Sequence, residues 1–243
     1  MGRLLPLALR QLGRDARASE LRVLFFALVV AVAASTAIGY FGARLNGAML
    51  LRASEFLGAD LLLNGSSAAN NEQIEAGKQL GMQHAQLVEF SSVIATDSGI
   101  QLSSVKAADS AYPLRGQLRS AAAPYELESV GDGPKPGEAW VEPRLLSALE
   151  VNIGDSVEVG QKVLKLTRVL TYEPDRAGDF YSLTPRLLMN LADLNATGVV
   201  QPGSRVKYSE LWRGTTEQIA AYRQQIEPGL APSQHLLGAK DGN

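Results

Sequence analysis

Nineteen consecutive residues, Val23 through Phe41, carry neither charge nor proline, and they are apolar all round rather than on one face. As a helix they span about 28 Å, close to the hydrocarbon thickness of a bilayer. Phe25 and Phe26 lie near one end and Tyr40 and Phe41 at the other, where aromatic interface anchors are expected. Ser35, Thr36 and Gly39 offer small positions suited to helix–helix contact. A cleaved leader, with Ala31-Val32-Ala33 as its cleavage site, is the other reading of this stretch. The long charged region before it and the apolar run continuing past it favour a retained anchor.

Before the span the period is helical and the composition basic. Arg3, Arg10, Arg14 and Arg17 fall in one arc, opposite Leu5, Leu9, Leu12 and Ala16. Such a helix lies along an anionic membrane surface, although Pro6 and Gly13 weaken it and a frayed basic leader has the same composition. With Arg22, these arginines outnumber Arg44 and Arg52 beyond the span, so the positive-inside rule places the N-terminus in the cytoplasm. After Phe41 the helical period persists through Leu45, Met49, Ala53 and Phe56 to a stop at Gly58. The sequence therefore divides into a basic cytoplasmic segment (1–22), a transmembrane helix (23–41), a helical stalk (42–58) with Leu45, Met49 and Phe56 along it, and an outer core domain (59–243).

Beyond Gly58 short strands and helices mix. Leu61-Leu62-Leu63 reads as a buried strand, and Asn71 to Leu80 as a helix capped by Gly81. His84–Thr96 and Ile100–Ala107 form a hairpin through Asp97-Ser98-Gly99. Ser120–Pro136 is rich in Ala, Gly and Pro and reads as a loop, which makes 121–136 a candidate subdomain boundary. Ala139–Glu142 is a strand and Pro143–Leu149 a proline-started helix. Val157–Val159 and Val163–Thr171 pair about Gly160. Pro185–Leu191 is expected as a helix, Arg205–Leu211 as a strand, and Thr215–Gln225 as a helix. The sum is an α+β domain rather than a parallel sheet or a sandwich.

Composition narrows the chemistry. Twenty-three basic and 25 acidic residues leave a net charge of −2, which gives no basic excess for nucleic acid. There is no cysteine, hence no disulfide framework, thiolate metal site or thiol nucleophile. His84 and His235 stand far apart, in no metal-ligand spacing, and His84 reads as a surface residue. Gly77-Lys78 is followed by Gln79, and Glu72 stands where a P-loop needs its first glycine, so no phosphate cradle forms. Glu173-Pro-Asp-Arg-Ala-Gly-Asp179 gathers three carboxylates and an arginine, without the ligand spacing of a calcium loop, and reads as a solvated turn. No catalytic, cofactor-binding or metal-binding residue emerges.

Several stretches, in order, resemble the YbbP-type branch of the FtsX/MacB-like ABC permeases. They are Leu9-Arg10 with the basic leader, Glu55-Phe-Leu-Gly-Ala-Asp-Leu61, and Val105-Lys-Ala-Ala-Asp-Ser-Ala-Tyr-Pro-Leu-Arg-Gly116. Gly137-Glu-Ala-Trp-Val-Glu-Pro-Arg-Leu-Leu146, Ile153-Gly-Asp-Ser-Val-Glu-Val-Gly160, Glu173-Pro-Asp-Arg176 with Phe180 to Leu191, and Gln201-Pro-Gly-Ser-Arg-Val206 follow. The resemblance implies a MacB-like periplasmic core domain on a permease of the bacterial inner membrane. It also implies a separate cytoplasmic ATPase as partner, so that ATP is bound there, and motion passed outward along stalk helices for export or lipid handling. Further permease helices or a second permease copy are the other implied partners. Relatives carry more membrane helices, and no second apolar span precedes Asn243, so a partial permease is expected. A membrane-anchored binding or scaffold module without transport fits the same features.

Overall fold

The computed structural model describes residues 19–176, 184–201, 203–239 and 241. One unbroken helix, α1, runs Ser19–Leu57 and takes in both the apolar span and the stalk. Within it, the stretch Arg22–Leu57 is long and apolar enough to cross a membrane, with a mean hydropathy of 2.2 over an 18-residue window. Its side chains from Val23 through Met49 are exposed. Arg22, Phe25, Phe26, Tyr40, Phe41, Leu45, Met49 and Phe56 all lie on it. Arg3, Arg10, Arg14 and Arg17 fall outside the described residues.

Residues 50–243 cluster as one compact unit, with 1–49 as the other, so among the described residues no boundary falls at 121–136. That stretch carries sheet structure instead of being wholly loop. Among the described residues the domain has eleven strands: β1 Leu61–Gly65, β2 Gln83–Ala95, β3 Ile100–Ala108, β4 Leu118–Ala121, β5 Ser129–Gly131, β6 Glu138–Val141, β7 Ser156–Val159, β8 Lys162–Tyr172, β9 Arg186–Asn190, β10 Val206–Arg213 and β11 Gln234–Gly238. The spatial order is β11-β1-β10-β2-β3-β9-β6-β8-β4-β5, with β7 pairing β2 and β8. Most neighbours are antiparallel; β3 with β9 and β6 with β8 are parallel. The helices are α2 Asn71–Gln79, α3 Pro143–Leu149, the single turn α4 Leu194–Thr197, and α5 Thr216–Ile226.

Period-two alternation distributes the core to both faces of the sheet. Leu61 and Leu63 of β1 point to one face with Trp212, Tyr222 and Ile226, beneath α2 and α5. Leu62 and Leu211 point to the other, with Ala59, Tyr112, Leu118, Trp140 and Leu188. A third group, around Val105, Leu145, Leu149, Leu164 and Leu187, sits under α3. Both α2 and α5 begin with capping boxes, Asn70 with Gln73 and Thr215 with Gln218, which satisfy backbone N–H groups at each start. Gly77 lets α2 lie against the sheet, since a Cβ there would come within 2.4 Å of the Trp212 ring.

The segment expected as a proline-started helix is strand β9. Its five residues are buried on both sides, Leu187 and Met189 toward one core group and Leu188 toward another. An apolar run covered on both faces lacks alternation and cannot be told from a buried helix by period.

Candidate functional site

The end of α1 is fixed to the sheet by a set of short polar contacts. Gly58, at φ 68°, terminates the helix and donates to Glu55 O at 3.0 Å. Arg115 N–H donates to Gly58 O at 2.9 Å, while its guanidinium grips Asp60 through Nε–Oδ1 at 2.9 Å and Nη2–Oδ2 at 2.8 Å. A planar fork on a carboxylate defines direction as well as distance. Gly116 sits where a Cβ would lie 2.7 Å from Pro174 and 3.5 Å from Glu55 O. The 112–116 loop is thus wedged between the helix end and the turn at 174–176.

That turn rests on buried charge. Lys106, on β3, is fully buried, and its Nζ lies 2.9 Å from both carboxylate oxygens of Asp175 and 2.9 Å from Glu173 Oε1. Tyr112 Oη donates to Asp175 Oδ1 at 2.5 Å, and Lys106 Nζ donates to Tyr112 Oη at 3.3 Å. Arg186, opening β9, donates to Glu173 Oε2 at 3.1 Å, Ser104 Oγ at 2.7 Å and Glu89 Oε1 at 3.0 Å. Lys207 of β10 reaches Glu89 Oε2 at 3.2 Å. Arg176 and Arg144 both pair with Glu142. Among the described residues five cations therefore meet four carboxylates across four strands, the start of α3 and the turn at 174–176.

The mutual fields outweigh the cost of burial. Burial alone would raise the Glu89 carboxyl, yet Lys106, Arg186 and Lys207 hold it down at about 2. Glu173 is likewise lowered against its burial, by Lys106 and Arg186. Burial would lower Lys106, but Asp175 and Glu173 raise it, and Arg186 is raised by Glu173 and Glu89 against the same opposition. Burial and then Asp175 push the Tyr112 hydroxyl well above its ordinary value, which keeps it a donor. Glu89, Glu173, Lys106 and Arg186 are thus held in their charged forms and Tyr112 in its neutral one, an arrangement that positions the turn on the sheet.

The reading of Glu173–Asp179 as a solvated turn is corrected here for its described part. Glu173 is 4% exposed and Pro174 is buried, because Lys106 and Arg186 draw the turn onto the sheet; residues 177–179 lie outside the described residues. Lys106, Arg186 and Glu89 were not singled out from the sequence. A lysine inside the apolar alternation of Val105 to Ala108 was the available signal, since a charge there is buried only when paired. His84 is half-buried rather than on the surface, stacked on Trp212 with ring centroids 4.4 Å apart and bonded to Glu210 Oε2 at 2.7 Å. The interface aromatics and stalk residues stand on α1 away from this cluster in sequence, apart from Phe56, which borders it.

Next to the cluster lies an open groove of about 340 Å3. Phe56, Leu57, Leu62, Leu87 and Leu237 form its apolar wall, and Arg176, Arg186 and Lys207 with Glu89 and Asp175 form its charged side.

The same segments that carry the family resemblance supply this joint. Over 225 residues, 93% of the chain, the sequence is 31% identical to the uncharacterized ABC transporter permease YbbP of Escherichia coli (strain K12). The chain is similar to a YbbP-type permease. It spans 27% of that relative's length. No protein-family model matches the chain. In structure it is similar to the periplasmic region of MacB from Actinobacillus actinomycetemcomitans, with a TM-score of 0.50 and 9% identity, over 77% of this chain and 92% of that one. That likeness shows the fold of the domain, a MacB-like mixed α+β domain. The extracellular domain of the noncanonic ABC-type transporter YknZ from Gram-positive bacteria matches with a TM-score of 0.49 and 11% identity, over 73% of this chain and all of that one.

Proposed function

We propose that the chain is the N-terminal part of an ABC permease that works with a separate cytoplasmic ATPase and passes its motion to an outer domain. The observation that carries this reading is the rigid fastening of the α1 end. A helix that is apolar for a bilayer's thickness continues without a break to Leu57, where Arg115, Asp60 and the Lys106 cluster hold it to the sheet. Buried ion pairs add little net stability but strongly disfavour alternative geometries once one partner would be left alone. A displacement of the stalk would then be delivered to β3, β9 and β10 rather than lost in a loose linker. ATP would be bound by the partner subunit, and the work done by this chain would be mechanical.

The orientation belongs to the same proposal: N-terminus in the cytoplasm, with Arg3, Arg10, Arg14, Arg17 and Arg22 at the inner leaflet and the domain outside. Phe25, Phe26, Tyr40 and Phe41 would mark the interfaces, and Leu45, Met49 and Phe56 would ride on the moving stalk. Export or handling of lipid is the class of work this architecture suits.

Reporter fusions after Gly65 and Asn243 test the orientation: phosphatase activity at both sites is expected, and cytoplasmic reporter activity at either overturns it. Affinity purification from the source membrane tests the partnership. Recovery of an ATP-hydrolysing subunit is expected, and its absence from a stable, intact complex counts against the permease reading.

A further inference from the structure

The end of α1 and the α2–α5 layer lie against opposite faces of the sheet, yet a run of short hydrogen bonds joins them round the strand ends. Leu57 packs with Ala59, Leu62 and Leu211, whereas α2 and α5 cover Leu61, Leu63 and Trp212. Asp60 stands at the crossing. Its N–H donates to Trp212 O at 2.9 Å, and its carboxylate, besides holding the Arg115 fork, accepts the Gly214 N–H on Oδ2 at 3.2 Å. Arg213 adds a second tie at the same corner, with Nη1 donating to Leu114 O at 3.3 Å.

Gly214 immediately precedes Thr215, the N-cap of α5. Thr215 N–H donates to Gln218 Oε1 at 2.7 Å, Gln218 N–H donates to Thr215 Oγ1 at 3.3 Å, and Gln218 Nε2 donates to Leu80 O at 2.7 Å. Leu80 is the C-cap of α2, at an end where carbonyls lack partners within the helix. One amide side chain thus holds the start of α5 with its oxygen and the end of α2 with its nitrogen. Gly214 cannot shift alone, because a Cβ there would lie 2.9 Å from both Gln218 Oε1 and Met82 Cγ. A displaced Gly214 either carries Gln218 with it or breaks one of the amide's two bonds, which are discrete alternatives rather than a graded strain.

We propose that Asp60 is a positioning residue that passes the setting of the α1 end to the helix layer on the far face of the sheet, through Gly214 and Gln218 to the start of α5 and the end of α2. This route shares no residue with the Lys106 cluster, which ties α1 to β3, β9 and β10. It deepens the mechanical reading above and rests on that reading only for what moves α1.

Hydrogen–deuterium exchange on the full chain in phosphatidylcholine nanodiscs tests the route without any ATPase, so its failure and the failure of the permease reading are distinguishable. Asp60→Ala should quicken exchange at Thr215 and Gln218 about fivefold, the loss of about one hydrogen bond. Arg115→Ala loses the same ion pair but keeps the Gly214 contact, and should affect these two amides less than half as much. The input is Gly58→Ala, which strains the helix end at φ 68°. It should quicken Thr215 and Gln218 about threefold in the native chain, and add nothing once Asp60→Ala is present. Gln218→Ala should quicken Gly81 and Met82, whose N–H groups donate to Lys78 O and Gly77 O at the end of α2, and should abolish any further effect of Asp60→Ala there. Equal effects of Asp60→Ala and Arg115→Ala at α5 overturn the Asp60–Gly214 contact as the link. Additive effects of Gly58→Ala and Asp60→Ala overturn the transmission, and so does quickening spread evenly over β3 and β9, which marks a loss of overall stability.

Discussion

Lys106 Nζ stands 2.9 Å from both carboxylate oxygens of Asp175, across 69 residues of sequence, and the ammonium has no bulk water to fall back on. Lys106 is wholly buried and Asp175 keeps 17% of its side chain exposed. Each therefore depends on the other, and on Tyr112 and Glu173, for its solvation.

Removing the ammonium should be costly. Lys106→Met leaves Asp175 and Glu173 facing an apolar group, and a loss of about 3–5 kcal/mol in unfolding free energy is expected. Denaturant titration of the detergent-solubilised chain, followed by Trp140 and Trp212 fluorescence, measures it. The double variant Lys106→Met with Asp175→Asn should lose less than the two single changes together. Strict additivity would mean that the pair does not interact.

The joint should be insensitive to pH across the neutral range and fail in acid. Glu89 is held at about 2 against an ordinary 4.5, so it contributes stability above about 4.5 that disappears as pH falls toward 2. Lys106 is raised above 10.5, so its contribution is complete below that value and declines only at higher pH. Stability measured from pH 5 to 10 should vary little on this account and drop below pH 4.5. Glu89→Gln should flatten the acid limb; an unchanged limb would assign the acid loss to other carboxylates.

The Arg115–Asp60 fork should control how tightly the helix end is held. Arg115→Ala removes two charge-assisted hydrogen bonds but leaves the backbone contact to Gly58 O in place. Amide exchange at Gly58, Ala59 and Asp60 should quicken by about tenfold, corresponding to roughly 1.4 kcal/mol. Arg115→Lys should not restore protection, because an ammonium cannot reproduce the fork. Full protection in the lysine variant would show that charge alone suffices.

Close packing of α2 predicts a steric penalty at Gly77. Gly77→Val drives side-chain atoms into the Trp212 ring and should cost about 1–3 kcal/mol, with a shift in Trp212 fluorescence. A neutral result would mean that α2 can lift from the sheet without loss.

Elements governed by local chemistry were legible in the sequence. Pro143 at the first turn starts α3, Gly58 stops α1, and Asp97-Ser98-Gly99 turns the β2–β3 hairpin, each within a residue or so of expectation. β9 was not, because what makes it a strand is cover from β3 and β6, far away in sequence. β4 was hidden for the same reason, since it pairs with β8, and β5 is a three-residue strand that pairs only with β4. The candidate site divides in the same way. Glu173–Arg176 stood out as charged, but its burial follows from Lys106 and Arg186, whose own strands had to be placed first.

The strand order also sets a timetable for synthesis. β1 follows α1 directly, yet both of its neighbours, β10 and β11, come from the far end of the domain, with Leu61 opposite Trp212 and Gly238. Until the ribosome has delivered Val206 to Gly238, the emerging β1 has two unpaired edges and no partner. Such non-local closure is slow and leaves an aggregation-prone edge in the meantime. Nascent chains stalled shortly before Val206 should therefore leave β1 open to protease, while those released after Gly238 protect it.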